Sequence, residues 1–171
     1  MNARKIQGED DDNAESLLRQ AIDTAPEYTP ALSALADLLL NEDVDEAREL
    51  SLRCLAVDER DSVCHRTLIS SYTRDGLFED AFPHVAYCLE VDPKNIDCLS
   101  SMSSLYLNQG QLDETKRMLT WMRRVDPDSM FTQLAEGGYA HAVGDRDAAR
   151  DAFDHACNKG QPFACKMLKE L

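Results

Sequence analysis

At 171 residues and 43% hydrophobic content, the chain has ample apolar surface to bury. No apolar run approaches the ~20 residues that a membrane span needs. A net charge of −14 sets the surface against nucleic-acid phosphate, and no basic stripe interleaved with aromatics reads from the sequence. In chain order, Met1–Lys5 carries two positive charges but no apolar stretch follows, so it is not a complete signal peptide. Glu9–Asp12 is an acidic cluster. Ala14, Leu18, Ala21 and Ile22 then recur on one face, and this predicts a helix over 12–24. Further helices are expected over 29–40, 44–57, 62–74, 78–91, 96–108, 112–125, 130–142, 146–158 and 162–170.

The clearest signal is a period of 34 residues. Residues 62–95 and 96–129 align without a gap: Tyr72 falls over Tyr106, Gly76 over Gly110, and Val91-Asp92-Pro93 over Val125-Asp126-Pro127. Within the first of these stretches, Leu68, Ile69 and Tyr72 mark one helix face, which Asp75-Gly76 ends because glycine takes the left-handed conformation without a Cβ clash. Ala81, Val85, Cys88 and Leu89 mark a second face, ended by Asp92-Pro93. Pro83 is expected to bend that helix locally, since it removes one backbone hydrogen bond. Two such helices cannot bury their stripes alone, so the units must stack.

The pattern Leu68-Ile69, Tyr72, Gly76, Ala81, Val85, Cys88, Pro93 resembles the tetratricopeptide repeat. The next unit carries Met102-Ser103, Tyr106, Gly110, Thr115, Leu119, Met122 and Pro127 in the same places. Upstream, Ala34-Leu35, Leu38, Ala47, Ser51 and Cys54 fit residues 28–61, although Glu59 stands where proline is usual. Downstream, Gly137, Gly144, Ala149, Phe153 and Ala156 fit residues 130–163, with Glu136 at a core place and Tyr139 one residue early. The resemblance implies an all-α, right-handed superhelical solenoid, one continuous domain over 9–171. Its parts are an acidic segment and half-repeat helix (1–27), repeats over 28–61, 62–95, 96–129 and 130–163, and a capping helix over 164–171. The half-repeat at the start reads either as a cap or as the opening of a fragment whose export signal or lipid anchor lies upstream.

The charge is uneven. Residues 1–61 carry 6 Lys/Arg against 16 Asp/Glu, a net of −10, and the remainder carries −4. Solvated outer helices account for this; an acidic patch that steers a basic partner is the sharper reading.

Six cysteines fall at repeat-equivalent places. Cys54, Cys88 and Cys157 sit late in second helices, and Cys64, Cys98 and Cys165 open the helices that follow. The junction that lacks one member, at Met122, also lacks the other, at Thr132. Three local disulfides explain why the partners appear and vanish together. Packing thiols would explain only half of them, and the spacing is wrong for a zinc pair. The segment from Ala156 to Cys165 also resembles the junctions of secreted, cysteine-rich Sel1-like repeats. Disulfides imply an oxidising compartment, periplasmic or extracellular; a cytoplasmic location goes with the thiol reading.

No catalytic motif, cofactor loop or metal-ligand set is present. His65 lies near a core face and is expected to be packed and hydrogen-bonded; Trp121 is expected in packing or partly exposed. In tetratricopeptide repeats the first helices line a concave surface where partners bind. By resemblance that face comprises Leu32, Ala36 and Leu39; Arg66, Ser70, Thr73 and Arg74; Ser100, Ser104, Leu107 and Asn108; and Phe131, Leu134, Gly138 and His141. A one-residue slip of the last helix would present Thr132, Ala135 and Tyr139 instead. The Lys/Asn clamp of chaperone-tail domains is absent, because Leu32, Ala36, Arg66, Ser70 and Ser100 occupy its places. The expectation is a non-catalytic scaffold or assembly factor that holds a segment of another protein, with Arg66 and Arg74 as the only cations on the face. A structural spacer within a longer repeat chain and a cytosolic co-chaperone-like adaptor are the alternatives.

Overall fold

The computed structural model describes residues 3–171, with side chains from Asn13 onward. Among the described residues there are ten helices and no strand: α1 (Ala3–Thr24), α2 (Thr29–Leu39), α3 (Val44–Val57), α4 (Ser62–Arg74), α5 (Phe78–Val91), α6 (Ile96–Asn108), α7 (Leu112–Val125), α8 (Met130–Ala142), α9 (Arg146–Asn158) and α10 (Pro162–Glu170). Helices α2 to α10 keep the expected bounds to within a residue. The acidic cluster Glu9–Asp12, expected ahead of the first helix, lies on the α1 backbone, and its side chains lie outside the described residues. No helix among the described residues is long and apolar enough to cross a membrane.

Local chemistry sets these boundaries. Asp43 accepts from Glu46 N–H at 3.0 Å to open α3. Asp61 accepts from Val63 and Cys64 N–H to open α4. Asn95, Ser129 and Asp145 do the same for α6, α8 and α9. Each such cap satisfies backbone donors that no helix can satisfy internally. At the other end of α4, Gly76 has φ 73° and the Leu77 N–H reaches back to Tyr72 O at 2.9 Å. Gly110 closes α6 the same way, through Gln111 N–H to Tyr106 O. The first repeat has no glycine there; its turn closes through Glu42 and Asp43 N–H, both donating to Leu39 O. Pro83 sits within α5, which runs on through it to Val91.

The chain packs as two compact units, residues 1–84 and 85–171, with the division inside α5. In the first unit α2 packs against α1, α3 and α4. Its core joins Ile22, Leu32, Leu35, Ala36, Leu39, Ala47, Leu50 and Cys54. In the second, α6 pairs with α7, α8 with α9, and α10 covers α9. One cluster there is built on Leu99, Leu119 and Met122, another on Phe153, Ala149, Ala156 and Ala164. Such helix pairs, repeated along the chain, bury stripes that neither helix could bury alone.

Helix α8 departs from the repeat for a visible reason. Gly137 brings the backbone so close to α9 that the Phe153 ring packs directly on it, and Phe153 is 1% exposed. Glu136, beside it, is displaced from the core place and accepts from Arg123 Nε at 2.5 Å.

Three disulfides link second helices to the helices that follow. They are Cys54–Cys64, Cys88–Cys98 and Cys157–Cys165, with Cα separations of 6.6, 6.3 and 4.8 Å. No free cysteine remains among the described residues. At the α7–α8 junction, where no bridge exists, the buried Thr132 hydroxyl donates to Asp126 O at 2.7 Å. A hydrogen bond there ties the helix start to the preceding turn.

Candidate functional site

The residues expected to line a partner-binding face divide sharply by burial. Leu32, Ala36 and Leu39 are 0%, 0% and 3% exposed. They are core residues, and their expected place on the partner-binding face is corrected. The helix Thr29–Leu39 has a single charged residue, Asp37, and is enclosed by three neighbours. A helix apolar around most of its circumference is a buried helix. Ser100 is likewise buried, at 6% exposure, on a helix that packs against both α7 and α8. It offers no contact surface.

Arg66 and Arg74 are exposed, yet neither is a free cation. Arg66 donates to Asp37 at 2.9 Å. Arg74 donates to Leu40 O at 2.7 Å and to Asn41 Oδ1 at 3.1 Å. Both thus bind the α4 surface to α2 and its turn. Ser70 and Thr73 lie half-buried between them along α4. In the second unit Ser104 and Leu107 are half-buried, and exposed Asn108 donates to Ser104 O at 2.8 Å. On α8, Phe131 and Leu134 are half-buried against the two core clusters. Gly138 sits beside Leu107, and His141 is exposed. Of the slipped set, Thr132 and Ala135 are buried and Tyr139 is half-buried.

His65 is buried and hydrogen-bonded. Its Nε2 lies 3.0 Å from Glu59 O, so Nε2 carries the proton; its Nδ1 lies 3.0 Å from Nδ1 of His84. With its proton on Nε2, the His65 Nδ1 accepts there and His84 Nδ1–H donates. The Tyr72 ring stacks on His84, and Arg48 lies over Tyr72. Burial and the neighbouring His65 push His84 down to about 4, against a smaller opposing pull from Asp80. A histidine with a depressed folded pKa binds its proton more readily unfolded. Its contribution is thus intact above about 6.5 and is lost as pH falls toward about 4. The urea midpoint is expected to fall through this window, and His84→Gln is expected to flatten the fall; an unchanged profile in the variant would refute the assignment.

The Sγ atoms of Cys54 and Cys64 and a carboxylate oxygen of Asp61 cluster within 4.8 Å. The sulfurs are bonded to each other and Asp61 caps α4, so this is a structural cluster.

One feature escapes the repeat pattern. Lys94, from the turn before α6, meets Arg117, Trp121 and Arg124 on α7 around an open pocket of about 440 Å³. The α7 part of this set is legible in the sequence: Arg117, Trp121, Arg124 and Val125 lie at i, i+4, i+7 and i+8, one helix face.

No protein-family model matches the chain, and no curated protein does. Solved structures do. A crystal structure of MamA aligns over 96% of this chain and 98% of its own, with a TM-score of 0.73 and 17% identity. A tetratricopeptide repeat protein from Parabacteroides merdae ATCC 43184 aligns over 90% of this chain and 62% of its own, with a TM-score of 0.74 and 18% identity. The chain has the tetratricopeptide-repeat fold. A third structure, MamA residues 41 to the end from Desulfovibrio magneticus RS-1, matches 91% of this chain and 88% of its own at a TM-score of 0.75 and 13% identity. At these identities the likeness is one of fold.

Proposed function

We propose that this tetratricopeptide-repeat chain is a non-catalytic scaffold that holds a segment of another protein and works in an oxidising compartment, the periplasm or the extracellular space. The observation that carries the binding role is the fold itself. Stacked helix pairs bury their apolar stripes in layers, and α4 and α6, unlike α2, keep part of their surface out of that packing. On α4 that surface offers Ser70 between two ordered arginines; on α6 it offers Ser104 and Asn108. Small hydroxylated side chains let a peptide backbone approach closely and hydrogen-bond without fixed charge. The compartment is supported by the pairing of every cysteine among the described residues.

A photo-crosslinking side chain placed at Ser70 or at Ser104 is expected to capture one protein, and the same group at exposed Glu49 or Arg150 is not. Equal yields at all four positions, or none, would remove the scaffold reading. For the compartment, protein recovered from its native source and alkylated before reduction is expected to take up no label. Six labelled thiols would place it elsewhere.

A further inference from the structure

We infer that the Trp121 pocket is a second docking surface, built for a short acidic segment of a partner protein that carries an apolar side chain among its carboxylates. It rests on the scaffold reading only in taking the occupant to be a protein. The pocket's floor is Met118, Trp121 and Val125, and its rim is Lys94, Arg117 and Arg124. Acidic residues outnumber basic ones by 32 to 18 in this chain, yet the pocket is lined by three cations and no carboxylate. Lys94 and Arg124 form no ion pair among the described residues, and Arg117, itself 75% exposed, has only the i,i+3 neighbour Glu114 at 3.7 Å. Trp121, the chain's one tryptophan, is 39% exposed.

Charge complementarity selects the occupant. Arginines two turns apart on a helix present forks that match carboxylates bidentately. An indole between them gives an aliphatic or aromatic side chain a place to lose water, and anchors of this kind dominate protein interfaces. A pocket of about 440 Å³ takes one or two large side chains, not a folded surface. A long polyanion such as nucleic acid would gain the same local contacts but meet the repulsion of a molecule with net charge −14. A short acidic segment carries few charges, so contact with the rim outweighs that repulsion.

Because Trp121 is the only tryptophan, its emission reads the site directly. The probe is a short synthetic peptide of alternating glutamate and leucine, titrated into the full chain, with a lysine–leucine peptide of equal length as control. Saturable change is expected with the first alone, weakening roughly tenfold or more between about 50 mM and about 500 mM salt. The pair Arg117→Glu with Arg124→Glu is expected to weaken binding at least about tenfold while the far-ultraviolet spectrum stays unchanged. Four results overturn the inference: no saturable change with the acidic peptide, an equal response to both peptides, unaltered affinity in the double variant, or tighter binding of an oligothymidylate. Sedimentation velocity of the free protein separates the remaining occupant. Self-association that the double variant abolishes would mean that a second copy, through the acidic residues 1–61, fills the pocket, and the commitment to a partner segment would then be wrong. Peptide binding here without cross-links at Ser70 or Ser104 would retain this site and sink the first-helix face. The converse result would do the opposite.

Discussion

Gly137→Ala is expected to destabilise the protein by about 1–3 kcal/mol, a fall in melting temperature of roughly 2–12 °C. The added Cβ would lie 2.5 Å from Phe153 Cδ1 and 2.6 Å from Cε1. Ordinary carbon contacts are about 3.5–4.0 Å, so the ring must move. It has nowhere to go, being 1% exposed within the α8–α9 cluster. The gain in helix propensity, about 1 kcal/mol for alanine over glycine, opposes the loss but does not cancel it. Two controls isolate the mechanism in urea denaturation. Gly138→Ala, one residue along, meets only the flexible end of Leu107 at 3.2 Å and is expected to stay within about 1 kcal/mol of the native protein. Phe153→Leu is expected to be costly alone but to recover part of the loss in the Gly137→Ala background. Additive effects in that pair would show that the ring and the glycine do not meet.

The second large effect belongs to the disulfides. Replacing Cys54 and Cys64 together by alanine is expected to lower stability by about 2–3 kcal/mol, because a loop of about ten residues loses that much unfolded-chain constraint in the chain-entropy account. The protein stays helical, since the apolar layers carry the stack and each bridge spans only one inter-helix turn. Thermal melts of the variant against native protein, both without reductant, give the measurement. An unchanged midpoint would show that the pair contributes packing alone. Graded reduction adds an ordering: Cys157 and Cys165 are half-buried, whereas Cys54 and Cys64 are fully buried, so the last bridge is expected to open first.

Much of this architecture is legible in the sequence because its causes are local. A helix starts where Asp43, Asp61, Asn95 or Asp145 can turn a side-chain oxygen onto the next backbone N–H groups. It stops where Gly76 or Gly110 takes a positive φ. Both events are decided within a few residues, and the 34-residue period repeats them. The disulfides are legible for a related reason: each pair spans one turn between consecutive helices, so the sequence neighbours are also spatial neighbours. The first helix is longer than its sequence pattern suggests, because the polar run ahead of Asn13 has no apolar stripe to betray it.

Burial is another matter, because it is a property of what lies alongside. Leu32, Ala36 and Leu39 hold places that face a partner in the resembling repeats, and no pattern within α2 distinguishes an open face from one that α1 and α4 close. Arg66 and Arg74 read as free cations until Asp37 and Asn41 are found across the helix pair. The nitrogen pair of His65 and His84 joins residues on different helices, as does the meeting of Lys94 with the Arg117–Arg124 face. The sequence by itself determined helices α2 to α10 and their period and pointed to the three bridges over packing thiols, since hydrogen-bond capping and short-loop closure act over ten residues or fewer. Only the tertiary structure decided which apolar residues vanish into the core and which charges stay unpaired, since desolvation depends on neighbours the chain brings together from a distance.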